Sequence, residues 1–251
     1  MSKQITIVIP IHPDELDLDI KNHVEDIEIK CGKVDNIDKI ILVSNKKDLK
    51  YKLKLRTRIL VLYEVVPNNI KLTRAHAMNK GFLSSKSEIV MFLHVDTKLP
   101  FNFDSMVITK LTENNFCYFY LQYDQNNLLI KLIEKTVNNI RNFPYGDQCF
   151  CVKSEYHHKI GMFPDIPFME DYEYVEKRLK PEERSNVITT PIITSVRRYT
   201  GSKHGLTLSS VQKNMRNNRH LIQRYHAGEC INRLHDIYYK NGLFGTFYYE
   251  Y

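Results

Sequence analysis

Nothing in this 251-residue sequence is apolar for long enough to cross a bilayer, and it contains no N-x-S/T acceptor for N-glycosylation. Its first residues lack the charged-then-apolar pattern of a secretory signal. The five cysteines, at 31, 117, 149, 151 and 230, are odd in number and include no C-x-x-C pair. Cys149 and Cys151 would share one face of a strand, which suits neither a disulfide ladder nor a zinc cage. These absences together predict a reduced, cytoplasmic protein. No internal repeat and no linker rich in Pro, Gly or Ser divides the chain, and no glycine-rich phosphate loop follows Ile11.

What is present reads first as alternating strand and helix. Gln4 to Ile11 is short, β-branched and closed by Pro10 and Pro13, as expected of a buried strand. Lys39–Ser44 and Arg58–Val66 offer two more strands, with Leu18, Val24, Ile27 and Ile29 as the apolar positions of a helix between the first two. Lys71–Ser85 is patterned as a helix that Thr73 can cap. It leads into Ile89–Pro100, I-V-M-F-L-H-V-D-T-K-L-P, an apolar run that ends in a histidine and a carboxylate. Strand alternation would put Val90, Phe92, His94 and Asp96 on one face. This order predicts an α/β fold with a mostly parallel sheet flanked by helices. Ligands bind at the carboxyl ends of such strands, where a carboxylate can hold a divalent cation beside phosphates.

A second informative region runs from Phe143 to Asp171. Gly146 permits close backbone approach, and Asp147 and Gln148 bring hydrogen-bonding groups just before a short strand. Glu170 and Asp171 open a helix that Pro181 stops. Carboxylates there can cap backbone amides or carry chemistry. After a further strand within 186–196 come Arg197, Arg198, Lys203 and His204, residues suited to phosphate oxygens and to a mixed cation site. Phe116–Tyr123 reads as an aromatic strand and Leu128–Phe143 as a helix with a core stripe. The Asn-rich patches at 114–127 and 214–218 read as compositional bias.

The ordered series I-V-I-P, L-H-V-D-T-K-L-P, P-Y-G-D-Q, G-M-F-P-D-I-P-F-M-E-D and R-R-Y-x-x-S-K-H-G resembles family 2 glycosyltransferases, over about residues 4–225. It is most similar to a small cytosolic subgroup with F-L-H-A-D-T, G-D-Q and P-L-M-E-D motifs. The resemblance implies one GT-A domain: a nucleotide-binding half at 1–100, an acceptor and catalytic half at 101–205, and a helical tail at 206–251. It also implies a nucleotide-sugar donor, an acceptor hydroxyl, Mn2+ or Mg2+, and inverting transfer. Asp171, with Glu170 beside it, matches the acceptor-activating carboxylate. Asp96 and His204 match metal ligands, and His94 matches a ribose or water contact. Pro10, Asp14, Arg74, Asn79, Gly146, Asp147, Gln148, Arg197 and Arg198 match or neighbour the donor-binding positions. One departure lies after the second strand, where Ser44, Asn45, Lys46 and Lys47 replace an acidic, glycine-containing turn.

The net charge of +7 favours anionic partners in general. The helix expected over 206–225 bears Lys213, Arg216, Arg219 and Arg224 and could rest on an anionic membrane or cover the acceptor site, and the tyrosine-rich end could pack on the domain or on a second subunit. Two rival functions follow from the same residues. One is an inactive binding module for nucleotide or nucleic acid, disfavoured by the retained carboxylates. The other is a sugar-phosphate nucleotidyltransferase, disfavoured by the missing glycine-rich loop.

Overall fold

The computed structural model describes residues 4–12, 15–46, 49, 53, 55–67, 72–140, 143–195 and 208–239. Seven strands form one sheet in the order β3-β2-β1-β4-β6-β5-β7. They are β1 (Ile5–Pro10), β2 (Ile37–Ser44), β3 (Leu60–Val65), β4 (Ile89–Phe92), β5 (Phe116–Tyr123), β6 (Phe150–Lys153) and β7 (Val187–Thr194). β1 pairs in parallel with β2 and β4, and β2 with β3. β6 runs antiparallel to both β4 and β5, while β5 and β7 are parallel. β6 is therefore reversed among the paired strands.

β1 is buried throughout because it is central and covered on both faces. Ile5, Ile7, Ile9 and Ile11 enter one core, beneath α1 (Asp17–Lys30), α3 (Phe103–Glu113) and α4 (Leu128–Lys135), and Val8 enters the other, beneath α2 (Arg74–Leu83). Gly81 lets α2 lie close against β1, since a Cβ there would sit 2.4 Å from Val8 Cγ1. On α1 the buried stripe is Ile20, Val24 and Ile27, at helical spacing. Leu18 and Ile29, expected on that stripe, are 65% and 69% exposed, because they fall on the opposite side of the helix.

Several expected elements are shorter in the structure. The strand read at Ile89–Pro100 stops at Phe92. His94 to Thr97 form a turn, closed by the Thr97 amide donating to the His94 carbonyl at 3.1 Å. His94 and Asp96 thus do not share a strand face with Val90 and Phe92, because alternation ends where the extended backbone ends. The turn is anchored to β7 through Lys98 and Ile193, whose amides and carbonyls bond reciprocally at 2.7 and 3.0 Å. α4 passes at Thr136 into a π-helical turn. α6 (Glu170–Glu173) likewise continues as a π turn over Tyr174–Arg178, beyond α5 (Ser154–Lys159). Cys149 lies outside β6 with φ 55°, yet it and Cys151 enter the same core as free thiols.

The tail is a helical hairpin, α7 (Leu208–His226) and α8 (Ile231–Tyr239). Leu221, Leu234 and Tyr238 bury a small core of their own against Phe168. Lys213, Arg216 and Arg219 are exposed, while Arg224 donates to Glu229. No described helix is long and apolar enough to cross a membrane.

Candidate active site

The reversal of β6 brings the two informative regions together. Phe92, the last residue of β4, is in register with Phe150, the first of β6. The turn that leaves β4 with His94 and Asp96 therefore lies beside the segment that leads into β6 with Tyr145, Gly146 and Asp147. Both are at the carboxyl edge of the parallel strands, where Pro10 ends β1.

Arg74 joins the regions. Thr73 Oγ1 caps α2 by accepting from the His76 amide at 3.0 Å, which fixes Arg74 as the first helical residue. Its Nε donates to Glu170 Oε1, its Nη1 lies 3.3 Å from His94 Nε2, and its Nη2 lies 3.4 Å from Asp171 Oδ2. A guanidinium only donates, so His94 Nε2 accepts here and Nδ1 carries the proton of the neutral ring.

The two acids differ in setting. The Glu170 side chain is 5% exposed, and burial pushes its carboxyl above the usual carboxylate range; the charge of Asp171 adds to this and that of Arg74 opposes it. Asp171 is more open, with its side chain 16% exposed. Its Oδ2 accepts from the Gly146 amide at 2.9 Å and its Oδ1 from the Tyr172 amide at 2.8 Å. Gly146 suits this closeness, since a Cβ there would lie 3.1 Å from Asp171 Oδ2. Met169, just before the pair, has φ 62°, a left-handed turn that precedes α6.

Two expected donor contacts have internal partners instead. Asn79 donates from Nδ2 to the Phe163 carbonyl at 2.9 Å and accepts at Oδ1 from the Phe163 amide at 3.1 Å, tying α2 to the loop ahead of Glu170. Gln148 is 1% exposed and bonds the Phe119 carbonyl and the Tyr145 amide, which holds the Gly146 turn in place. Asp147 is half-buried. In the altered turn after β2, Lys46 bonds the Glu15 carbonyl and pairs with Asp17 at 3.7 Å. Asp14, Arg197, Arg198 and His204 lie outside the described residues.

Among the described residues no three His, Cys, Asp or Glu side chains gather as cation ligands. Asp96 is half-buried in the turn after β4, whereas His94 Nε2 faces Arg74. The fit to Mn2+ or Mg2+ therefore rests on Asp96.

Next to the acids is a cavity of about 110 Å³. Tyr145, Phe168 and Tyr172 line it beside Glu170 and Asp171, and Asn218, Ile222 and Tyr238 line it from the hairpin. The sequence motifs contain its acids together with Tyr145 and Phe168, but not the walls that the hairpin supplies. Asn218 lay in a patch read as compositional bias, and no local pattern marks a residue that reaches a site from a separate helix.

No sequence-family model matches the chain, and no curated protein matches it in sequence. Solved structures do resemble it. Residues 1–349 of S. aureus TarS, in complex with UDP-GlcNAc, align with a TM-score of 0.58 at 10% identity, over 82% of this chain and 61% of that one. The mannosyltransferase PcManGT from Pyrobaculum calidifontis, in complex with GDP-Man and Mn2+, aligns with a TM-score of 0.56 at 13% identity, over 96% of this chain and 69% of that one. The fold is GT-A. At such identities the likeness is one of fold, and the chain spans about six-tenths of the TarS length compared. Within the GT-A sheet the Arg74 cluster occupies the carboxyl edge, where an open α/β sheet takes its ligands.

Proposed function

We propose that this chain is an inverting glycosyltransferase of the family 2 type, moving a sugar from a nucleoside-diphosphate donor to an acceptor hydroxyl. The observation that carries the reading is the convergence of the H-x-D turn and the Glu170–Asp171 pair on Arg74, at the carboxyl edge of a GT-A sheet. The complexes of TarS with UDP-GlcNAc and of PcManGT with GDP-Man and Mn2+ support the donor class.

The donor lies across the ends of β1 and β4, against Pro10, His94 and the Gly146 turn; the sequence resemblance assigns Asp14, Arg197 and Arg198 to the same ligand. Asp171 takes the proton of the acceptor hydroxyl as general base. The freed oxygen attacks the anomeric carbon, the bond from that carbon to the diphosphate oxygen breaks, and the nucleoside diphosphate leaves. A single displacement inverts the anomeric centre. Glu170 fixes Arg74, and Arg74 holds His94 and Asp171 in mutual orientation. Asp96, with His204, would hold Mn2+ or Mg2+, whose chemistry there is to offset negative charge on the departing diphosphate.

The test is release of nucleoside diphosphate from UDP-GlcNAc and GDP-mannose, with and without manganese. Asp171→Asn and Asp96→Asn are each expected to lower it by about 10²-fold or more without lowering the melting temperature. Wild-type rates in both variants would sink the proposal.

A further inference from the structure

The cavity beside Asp171 has a built character that the reaction alone does not demand. Around Arg74, Glu170 and Asp171 its walls carry aromatic and aliphatic side chains: Tyr145, Phe168 and Tyr172 on the side of the acids, Ile222 and Tyr238 from the hairpin. Contacts within the protein hold these walls. The Phe168 and Tyr238 rings pack with centroids 4.4 Å apart, and the Tyr172 hydroxyl is held by His226 Nε2 at 2.8 Å and Glu176 Oε1 at 3.2 Å. Opposite the Arg74, Glu170 and Asp171 side of this mixed lining is one amide, Asn218, half-buried and with no side-chain hydrogen bond among the described residues.

A ligand that satisfies this arrangement presents an apolar face to the rings, one polar group to Asn218 and a hydroxyl to Asp171. Size narrows it further. A dry, enclosed cavity of roughly 150 Å³ takes up one benzene ring, so this partly open cavity of about 110 Å³ encloses the end of one ring and has no room for a second.

We infer that the α7–α8 hairpin closes an acceptor subsite for one hydroxylated ring, such as a single sugar residue, entering end-on. This rests on the reading of Asp171 as the base. A longer acceptor projects outward, because continuing inward would displace Ile222 or Tyr238.

The experiment uses the full chain, UDP-GlcNAc and GDP-mannose as donors, and methyl glycosides of single sugars and of a trisaccharide as acceptors. Ile222→Trp fills the cavity. It is expected to raise the acceptor KM by about tenfold or more, with the donor Kd and melting temperature as in wild type. Asn218→Ala is expected to raise the acceptor KM with kcat retained. In the wild type, the single-sugar and trisaccharide glycosides should have similar KM values. A trisaccharide that binds about tenfold more tightly, or an Ile222→Trp variant with unchanged acceptor KM, overturns the inference and leaves the transfer reading standing. A wild-type protein that neither binds nor cleaves any donor overturns the transfer reading itself, and this one with it.

Discussion

Arg74 offers three nitrogens to three partners, Glu170, His94 and Asp171, which are 96, 20 and 97 positions away in the sequence. The Asp171 carboxylate is set equally tightly on its other side by the Gly146 amide. Gly146→Ala would place a methyl group 3.1 Å from Asp171 Oδ2 and 3.3 Å from its Cβ, so the side chain must give by a few tenths of an ångström. Misplacement of the proposed base would act on the transition state more than on the fold. The variant is expected to lose about tenfold in kcat while its urea midpoint stays near wild type. Steady-state kinetics beside an unfolding curve checks both halves of that expectation. Residue types at this site were legible in the sequence; partnerships were not. Glu170, Asp171 and Arg74 stand out by their motifs, but Asn79 and Gln148 carry the same kind of side chain and spend it on the Phe163, Phe119 and Tyr145 backbones. Only a long-range contact separates the two uses.

At the scale of elements, α2 illustrates two effects in opposition. Replacing an interior helical glycine by alanine ordinarily gains about 1 kcal/mol. At Gly81 the added methyl would meet Val8 Cγ1 at 2.4 Å and Val43 Cγ2 at 3.1 Å, within the packing of α2 on β1 and β2. Overpacking of a filled core costs about 1–3 kcal/mol, and a 2.4 Å approach to a fully buried valine lies at its severe end. Gly81→Ala is therefore expected to destabilise the protein by about 2 kcal/mol net, read from urea unfolding.

Element positions were largely readable. β1, β2, β5 and the Thr73 cap follow from local pattern and capping chemistry. The end of β4 did not, since Leu93 and Val95 extend the apolar alternation into residues that fold as a turn. The direction of β6 is invisible locally, because four residues, F-C-V-K, read alike in either sense.

For the molecule as a whole, two buried histidines set an acid limit. Burial holds His157 neutral, with its pKa lowered to about 3, and holds His23 likewise, lowered to about 4, against an ordinary 6.5. Between those values and 6.5 the unfolded chain binds more protons than the folded one. Stability therefore falls as pH is lowered through that window, by up to about 1.4 kcal/mol per pH unit for each histidine. The stability contributed by the neutral rings is fully present above the ordinary value. His157→Gln is expected to flatten the fall in melting temperature between about pH 6 and pH 4, although it weakens the 2.7 Å bond to the Tyr174 hydroxyl at all pH values. Melting curves across that range separate the slope from the offset.

The reversed strand has a consequence for how the chain can be divided. Residues up to Tyr123 supply five of the seven strands, yet β4 and β5 are joined only through β6, which comes later. A nick in the exposed 124–127 loop would leave the first fragment with unpaired strand edges and the second without its parallel scaffold. Neither fragment is expected to stay soluble or to release nucleoside diphosphate alone. Co-refolded, the two should recover activity together with the insertion of β6, so that turnover becomes a direct signal of fragment complementation.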